Sequence, residues 1–280
     1  MTAGREVIYE GIDGRRWHLH GLRMGDEGVI LTSMAGIYHP VRVPLDTRPA
    51  YMAGARPGLP KTDPRVMDLK IFTTAESPEE WEEIENDWWD SWSDEDDGLL
   101  IVESRAGTYR DIPLRLQRYP AEPFDFEPDD VFDWTLPTIA YQPWWRGPEL
   151  TSEWFNTDGS GAGDLRLANP GDVEIWPQYM LENIASAAAK YTLPDGVDGD
   201  TVEVVGLDPA EGDVLIDTDQ LRLQLESAAD TQIAARMAAL RFRNPLPPRT
   251  RRTTVDVAVT GGTTAAHVKA YMRPYYKRPW

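Results

Sequence analysis

Along most of the chain, apolar and polar positions alternate in short runs. Phe132, Trp134 and Leu136 alternate with Asp133, Thr135 and Pro137; Met67, Leu69 and Ile71 alternate with Asp68 and Lys70; Trp17 and Leu19 alternate with His18 and His20. A period of two places every second side chain on one face, so each run predicts a strand with one buried side. Residues 6 to 34 read as a hairpin with the turn residues Gly25, Asp26 and Glu27 before Val29-Ile30-Leu31. Leu99-Leu100-Ile101-Val102 predicts a buried strand that turns at Ala106-Gly107 into a partner with Leu114 and Leu116 inward and Arg115 and Gln117 outward. Further strands are predicted over 173 to 179, 201 to 205, 214 to 219, 221 to 225, 255 to 259 and 268 to 272, separated by turns such as Asn169-Pro170-Gly171-Asp172 and Gly261-Gly262.

Two segments carry a helical signal instead. Ser77-Pro78-Glu79-Glu80 combines an N-cap, a proline at the first helical position and acids in the first turn. Behind it Trp81, Ile84 or Glu85, Trp88 and Trp92 recur at three- and four-residue spacing, which predicts a helix with indoles along one stripe and Glu82, Glu83, Asp87 and Asp90 toward water. Residues 230 to 240 are alanine-rich and predict a second, short helix.

Prolines punctuate the pattern. Residues 44 to 64 are rich in proline and glycine and read as a long excursion from the sheet, whose Tyr51, Met52 and Arg56 are candidates for contact with a neighbouring chain. Pro143 and Pro148 bracket Trp144-Trp145 and stop a regular ladder, making a hinge. A length of 280 residues suits two cores better than one, so the division expected is a first domain over 1–143, a linker over 144–152 and a second domain over 153–280.

Composition narrows the chemistry. No run reaches the ~20 apolar residues of a membrane span, and the first twenty residues lack the apolar core of a signal peptide, so neither membrane insertion nor export by that route is expected. The absence of cysteine excludes disulfides, thiol nucleophiles and thiolate metal sites. A net charge of −19 argues against nucleic acid as a partner. That charge is unevenly placed: twelve acids and no base lie between Glu76 and Asp97, whereas nine bases face the single acid Asp256 from Arg241 onward.

Simpler roles account for the candidate sites. His18 and His20 share a strand face but have no third ligand nearby, so no metal is expected. The paired carboxylates of the acidic helix beside tryptophans suggest a glycosidase, but acids on a solvated face stay ionised and none qualifies as a general acid. Counted from Asn156, the loop Asn156 to Asp164 has Leu167 where a calcium loop needs Glu, and it lacks phosphate-loop glycine spacing, so it is a turn. No catalytic residue and no cofactor is expected.

A family pattern does emerge. The acidic helix, the hairpin "GLLIVESRAGTYRDIPLRLQR" and the strand ending in "LPTIAYQPWWRG" together resemble the N-terminal ring domain of the distal tail proteins, minor tail proteins of long non-contractile-tailed bacteriophages. In the second half "NPGDVEIWP", "GDVLIDTDQ", "NPLPPRTRRTTVDVAVTGG" and "AYMRPYYKRPW" resemble the galectin-like C-terminal domain of the same family, in the same order. The 44–64 excursion and details of the acidic helix depart from that pattern. The resemblance implies a mainly β chain: an N-terminal β-barrel or split-barrel-like ring domain with one short acidic helix, then a galectin-like β-sandwich. It implies a structural virion protein forming a closed homohexameric ring at the tail tip, assembled in the host cytoplasm. Its partners would be copies of itself, the tail tube protein, the tail hub or tape-measure complex, and receptor-binding tail proteins.

Within that reading, Glu82, Glu83, Asp87 and Asp90 form one candidate interface, and Arg249, Arg251, Arg252, Arg273 and Arg278 form an oppositely charged one, with Tyr275, Tyr276 and Trp280 as a docking peptide. A different class of function is a carbohydrate-binding adhesin that stacks sugars on Trp154, Trp176 or Trp280, although an inward Trp176 is the simpler expectation.

Overall fold

The structure is a computed structural model that describes residues 4–48, 50–51, 53–120, 131–184, 189–204, 207–220, 222, 225–229 and 241–280. Two compact units divide the chain: one runs to Arg146 and takes in Tyr276–Trp280, and the other is Gly147–Tyr275. Their regular structure is nearly all strand, and the described residues hold one α-helix.

The first unit contains β1 (Glu6–Glu10), β2 (Arg16–His20), β3 (Val29–Ala35), β4 (Arg42–Val43), β5 (Lys61–Thr62), β6 (Arg65–Thr74), α1 (Pro78–Asp90), β7 (Gly98–Glu103), β8 (Tyr109–Leu116), β9 (Val131–Ala140) and β10 (Trp145–Arg146). Its sheet runs β2-β1-β7-β8-β9-β6-β3, antiparallel throughout, with β10 paired to β8. The barrel expected for this half does not close. Gly21, Gly25 and Gly28, with φ of 116°, 82° and 81°, turn the chain so that β3 pairs with β6, and no ladder joins β3 to β2. The alternation seen in sequence is realised in the burial of Met67, Leu69 and Ile71 on β6, Trp134 and Leu136 on β9, and Leu114 and Leu116 on β8.

The helix is capped as its sequence predicts: the Ser77 Oγ accepts from Glu80 N at 3.2 Å. Its indole stripe docks on the sheet. Trp88 is fully buried, edge-on to Tyr9 and Trp17, and Trp92 stacks on Tyr9 at 3.9 Å between ring centroids. Around Ser91, Tyr9 Oη donates to the carbonyl and Trp17 Nε1 to the hydroxyl, both at 2.9 Å, so the helix end is tied to β1 and β2. Burial of one indole contributes up to ~5 kcal/mol as an upper bound, enough to hold a short helix of low intrinsic stability.

The 44–64 excursion is more ordered than its composition suggests. β4 pairs with β5, and a further bridge joins Thr47 to Arg56, making a two-stranded arm.

The second unit contains β11 (Leu150–Phe155), β12 (Ala162–Asn169), β13 (Gln178–Glu182), β14 (Lys190–Pro194), β15 (Thr201–Val204), β16 (Val214–Asp217), β17 (Leu225–Ser227), β18 (Thr250–Thr260) and β19 (His267–Met272); β20 (Tyr275–Tyr276) follows where the chain leaves it. The sheets β11-β19-β13-β16-β17 and β12-β18-β14-β15 share one core, with Trp154, Tyr179, Leu181, Ile216 and Val268 from the first and Leu165, Leu167, Tyr191, Leu193, Val255 and Val257 from the second. This is a two-sheet sandwich.

Several boundaries shift. The strand expected over 173 to 179 begins only at Gln178, because Pro177 has no N–H to place in a ladder; Ile175 makes an isolated bridge to Leu246, and Trp176 is half-buried. Residues 144–152 are not a free linker, since they hold β10 and the start of β11, and Trp145 is fully buried in the first core. Tyr276–Trp280 belong to the first unit, not to a domain running to 280. Val205, Leu221, Leu223, Met52 and the alanine-rich segment 230–240 lie outside the described residues.

Candidate assembly surfaces

On the outer face of α1, Glu82, Glu83 and Asp90 are exposed as expected. Asp87 is not free: Arg15, from the turn between β1 and β2, forms an ion pair with it. Glu85, half-buried on the flank, has its pKa raised by burial, partly offset by a hydrogen bond with Trp89 and reinforced by the charge of Glu82.

The basic side is shaped by backbone irregularity. Arg249 adopts φ 60° and donates its N–H to Gly171 O at 2.9 Å. From Leu167↔Thr253 to Asn169↔Thr250 the register slips by one, leaving an extra residue on β18, and both Arg251 and Arg252 are exposed there. None of these three arginines has an ion-pair partner among the described residues.

The remaining aromatic and basic candidates are engaged within their own units. Arg273 and Tyr275 are half-buried in the second, where Tyr275 O accepts from Asp172 N at 3.0 Å. In the first, the Arg110 guanidinium lies 3.6 Å over the Tyr276 ring and donates to Arg278 O at 2.6 Å. Arg5 covers Trp280 at 3.8 Å, and Arg278 reaches Tyr38. The docking peptide thus docks on its own chain. Aromatics beside arginines here find their partners within the first unit.

Arg65 was missed from sequence and organises this region. Fully buried, it donates Nε to Pro143 O at 2.8 Å, Nη1 to Gly36 O at 3.1 Å and Ile37 O at 2.8 Å, and Nη2 to Lys277 O at 2.9 Å. Burial lowers its pKa to about 10. Trp145 Nε1 also donates to Ile37 O, at 3.1 Å. Of the four residues expected as a hinge, Pro143 and Trp145 are buried, Trp144 is half-buried and Pro148 is exposed.

At the arm, Tyr51 is fully exposed and Leu59 is 89% exposed. Arg56 keeps its side chain in solvent while its backbone bridges Thr47.

The other candidates resolve into structural roles. His18 Nδ1 lies 2.7 Å from Glu27 Oε1 and its Nε2 lies 3.1 Å from Arg23. The 156–164 loop is a turn closed by Gly161 N donating to Asn156 Oδ1. Of the proposed sugar platforms, Trp154 is buried in the sandwich core, its Nε1 so close to Gly163 that a Cβ there would lie 1.9 Å away, and Trp280 is covered by Arg5.

No protein-family model matches the chain. Its sequence is similar to the Minor tail protein Gp27 of Mycobacterium phage L5, 24% identical over an alignment of 341 residues that covers 100% of this chain and 99% of that one. Its fold is similar to the Dit (gp 19.1) protein of phage SPP1, described as a paradigm of the hub adsorption apparatus in phages infecting Gram-positive bacteria, with a TM-score of 0.61, 13% identity and coverage of 97% and 98% of the two chains. A chain of the phage P2 baseplate in its activated conformation with Ca gives a TM-score of 0.55 at 11% identity, covering 95% and 97%. Sequence and fold, each along nearly the whole chain, therefore agree with the resemblance carried by its motifs: this chain is similar to the minor tail and hub proteins of phage tails.

Proposed function

We propose that the chain is a structural, non-catalytic protein of a phage tail tip that closes with copies of itself into a six-fold ring. The ring joins the tail tube to the tail hub or tape-measure complex and carries receptor-binding proteins. It assembles in the host cytoplasm and ends in the virion. One observation supports this most: likeness to a minor tail protein spans the whole of both sequences, while the fold match to Dit spans nearly the whole of both structures.

The surfaces suit such a role. Head-to-tail subunits need two different patches that complement each other. The acidic face of α1 and the exposed Arg249, Arg251 and Arg252 are opposite in sign, and such pairs govern steering and register more than raw affinity. A sugar-binding adhesin is not favoured, because Trp154 is buried in the sandwich core, Trp176 packs against it and Arg5 occupies one face of Trp280. Electron microscopy of the purified full chain tests the ring: closed rings of uniform subunit number are expected, and monomers alone at every concentration would refute it. Reversing Arg249, Arg251 and Arg252 to Glu is expected to slow assembly and flatten its salt dependence; unchanged rates across salt would show that these residues face no acidic partner.

A further inference from the structure

The strand pair β3–β6 has two ends with opposite character. At one, residues 36–64 leave the sheet as the arm. At the other, Thr74 N donates to Gly28 O at 2.8 Å and the chain passes into α1. Seven residues of β3 at ~3.3 Å each separate the two ends by ~20 Å.

Beside the helix end lies a cleft of about 420 Å³, with Ile84 as its apolar wall and Asp26, Glu27, Glu76 and Glu80 around it. Asp26 and Glu27 are paired with Arg23 and His18, and Glu80 accepts from Glu76 N, but the Glu76 carboxylate has no partner among the described residues. No lysine or arginine lines the cleft.

The arm is complementary to it. Between 41 and 63 it carries Arg42, Arg48, Arg56 and Lys61 against Asp46 and Asp63, a surplus of two positive charges (4 − 2) in a chain of net charge −19. Lys61 is paired with Asp63, whereas Arg48 and Arg56 are exposed and have no ion-pair partner among the described residues. Tyr51 lies between them in sequence with its ring wholly in water, a position that leaves ~25 cal/mol per Å² of apolar surface to be gained on burial.

We propose that the arm tip, Tyr51 flanked by Arg48 and Arg56, seats in the Glu76–Glu80 cleft of a second copy of this chain. The inference rests on the self-assembly proposed above and adds a second contact, one the subunits need in order to hold together. Tip and cleft are different patches at opposite ends of one strand pair, so each copy gives one tip and receives one, the heterologous geometry that closes into rings.

The test uses the full chain and its mass in solution by light scattering. An arm variant carries Arg48→Glu, Tyr51→Ser and Arg56→Glu; a cleft variant carries Asp26→Lys and Glu76→Lys. All five positions are at the surface, so melting temperatures serve as the control for folding. Each variant alone is expected to stay monomeric. Mixed one to one, they are expected to form dimers and nothing larger, since the intact tip meets the intact cleft while the reversed tip, lacking the Tyr51 ring, does not seat in the reversed cleft. Combining the four charge changes with Tyr51 retained is expected to recover the wild-type mass. Wild-type mass in either variant, or no dimer in the mixture, overturns the contact while leaving self-assembly standing; a wild-type chain that never associates overturns both.

Discussion

Arg65 holds a positive charge at zero exposure with backbone carbonyls, not a carboxylate, as its acceptors. Fixed dipoles from Gly36, Ile37, Pro143 and Lys277 replace the water the guanidinium loses, and its planar fork can serve all four, which a lysine ammonium cannot. Arg65→Met is therefore expected to destabilise the first unit by ~3–5 kcal/mol, read by chemical denaturation, and Arg65→Lys to recover only part of that. Because burial lowers the folded pKa to about 10, protonation changes stability only above that value, where stability rises with pH. The loss in Arg65→Met should thus be the same at about pH 6 and about pH 8.5. The position was legible: Arg65 shares the inward face of β6 with Met67 and Leu69. Its acceptors were not, since a carbonyl looks the same in every residue and these four come from segments distant in sequence.

Among the elements, α1 was the most readable, because an N-cap and an indole stripe are local signals. Asp87 keeps a half-exposed side chain, but its partner Arg15 lies far away in sequence, and no spacing rule links them. The arm was read as irregular because its strands β4 and β5 are two residues long, too short to show a period among prolines. The fate of Trp154 hung on Gly163, where only the missing Cβ leaves room for the indole. A pH effect belongs to this scale. Glu85 binds its proton more tightly folded than unfolded, mainly through burial, so its ionisation opposes folding above the ordinary carboxylate range. Glu85→Gln is expected to raise the melting temperature at neutral pH, with the gain shrinking as pH falls through the raised value toward the ordinary one. An equal gain at acidic and neutral pH would assign the effect elsewhere.

At the scale of the whole molecule, the two-core organisation was legible from length and from the prolines near 143, but the path between the cores was not. The chain leaves the first unit after Arg146 and returns at Tyr276, and the return is invisible in a pattern read forward. Deleting 276–280 is expected to loosen the first unit specifically, since Arg65 loses Lys277 O, Arg110 loses Arg278 O, and Arg5 loses Trp280. Hydrogen exchange should quicken in β6 while β13 and β19 stay protected; equal quickening in both units would show the tail's effect to be general. The same bond also orders events during synthesis. Arg65 and Lys277 are 212 residues apart, so a ribosome must translate the whole sandwich before the first unit's buried cation has its last acceptor. The N-terminal module therefore waits, its buried cation one acceptor short, while the sandwich is being made.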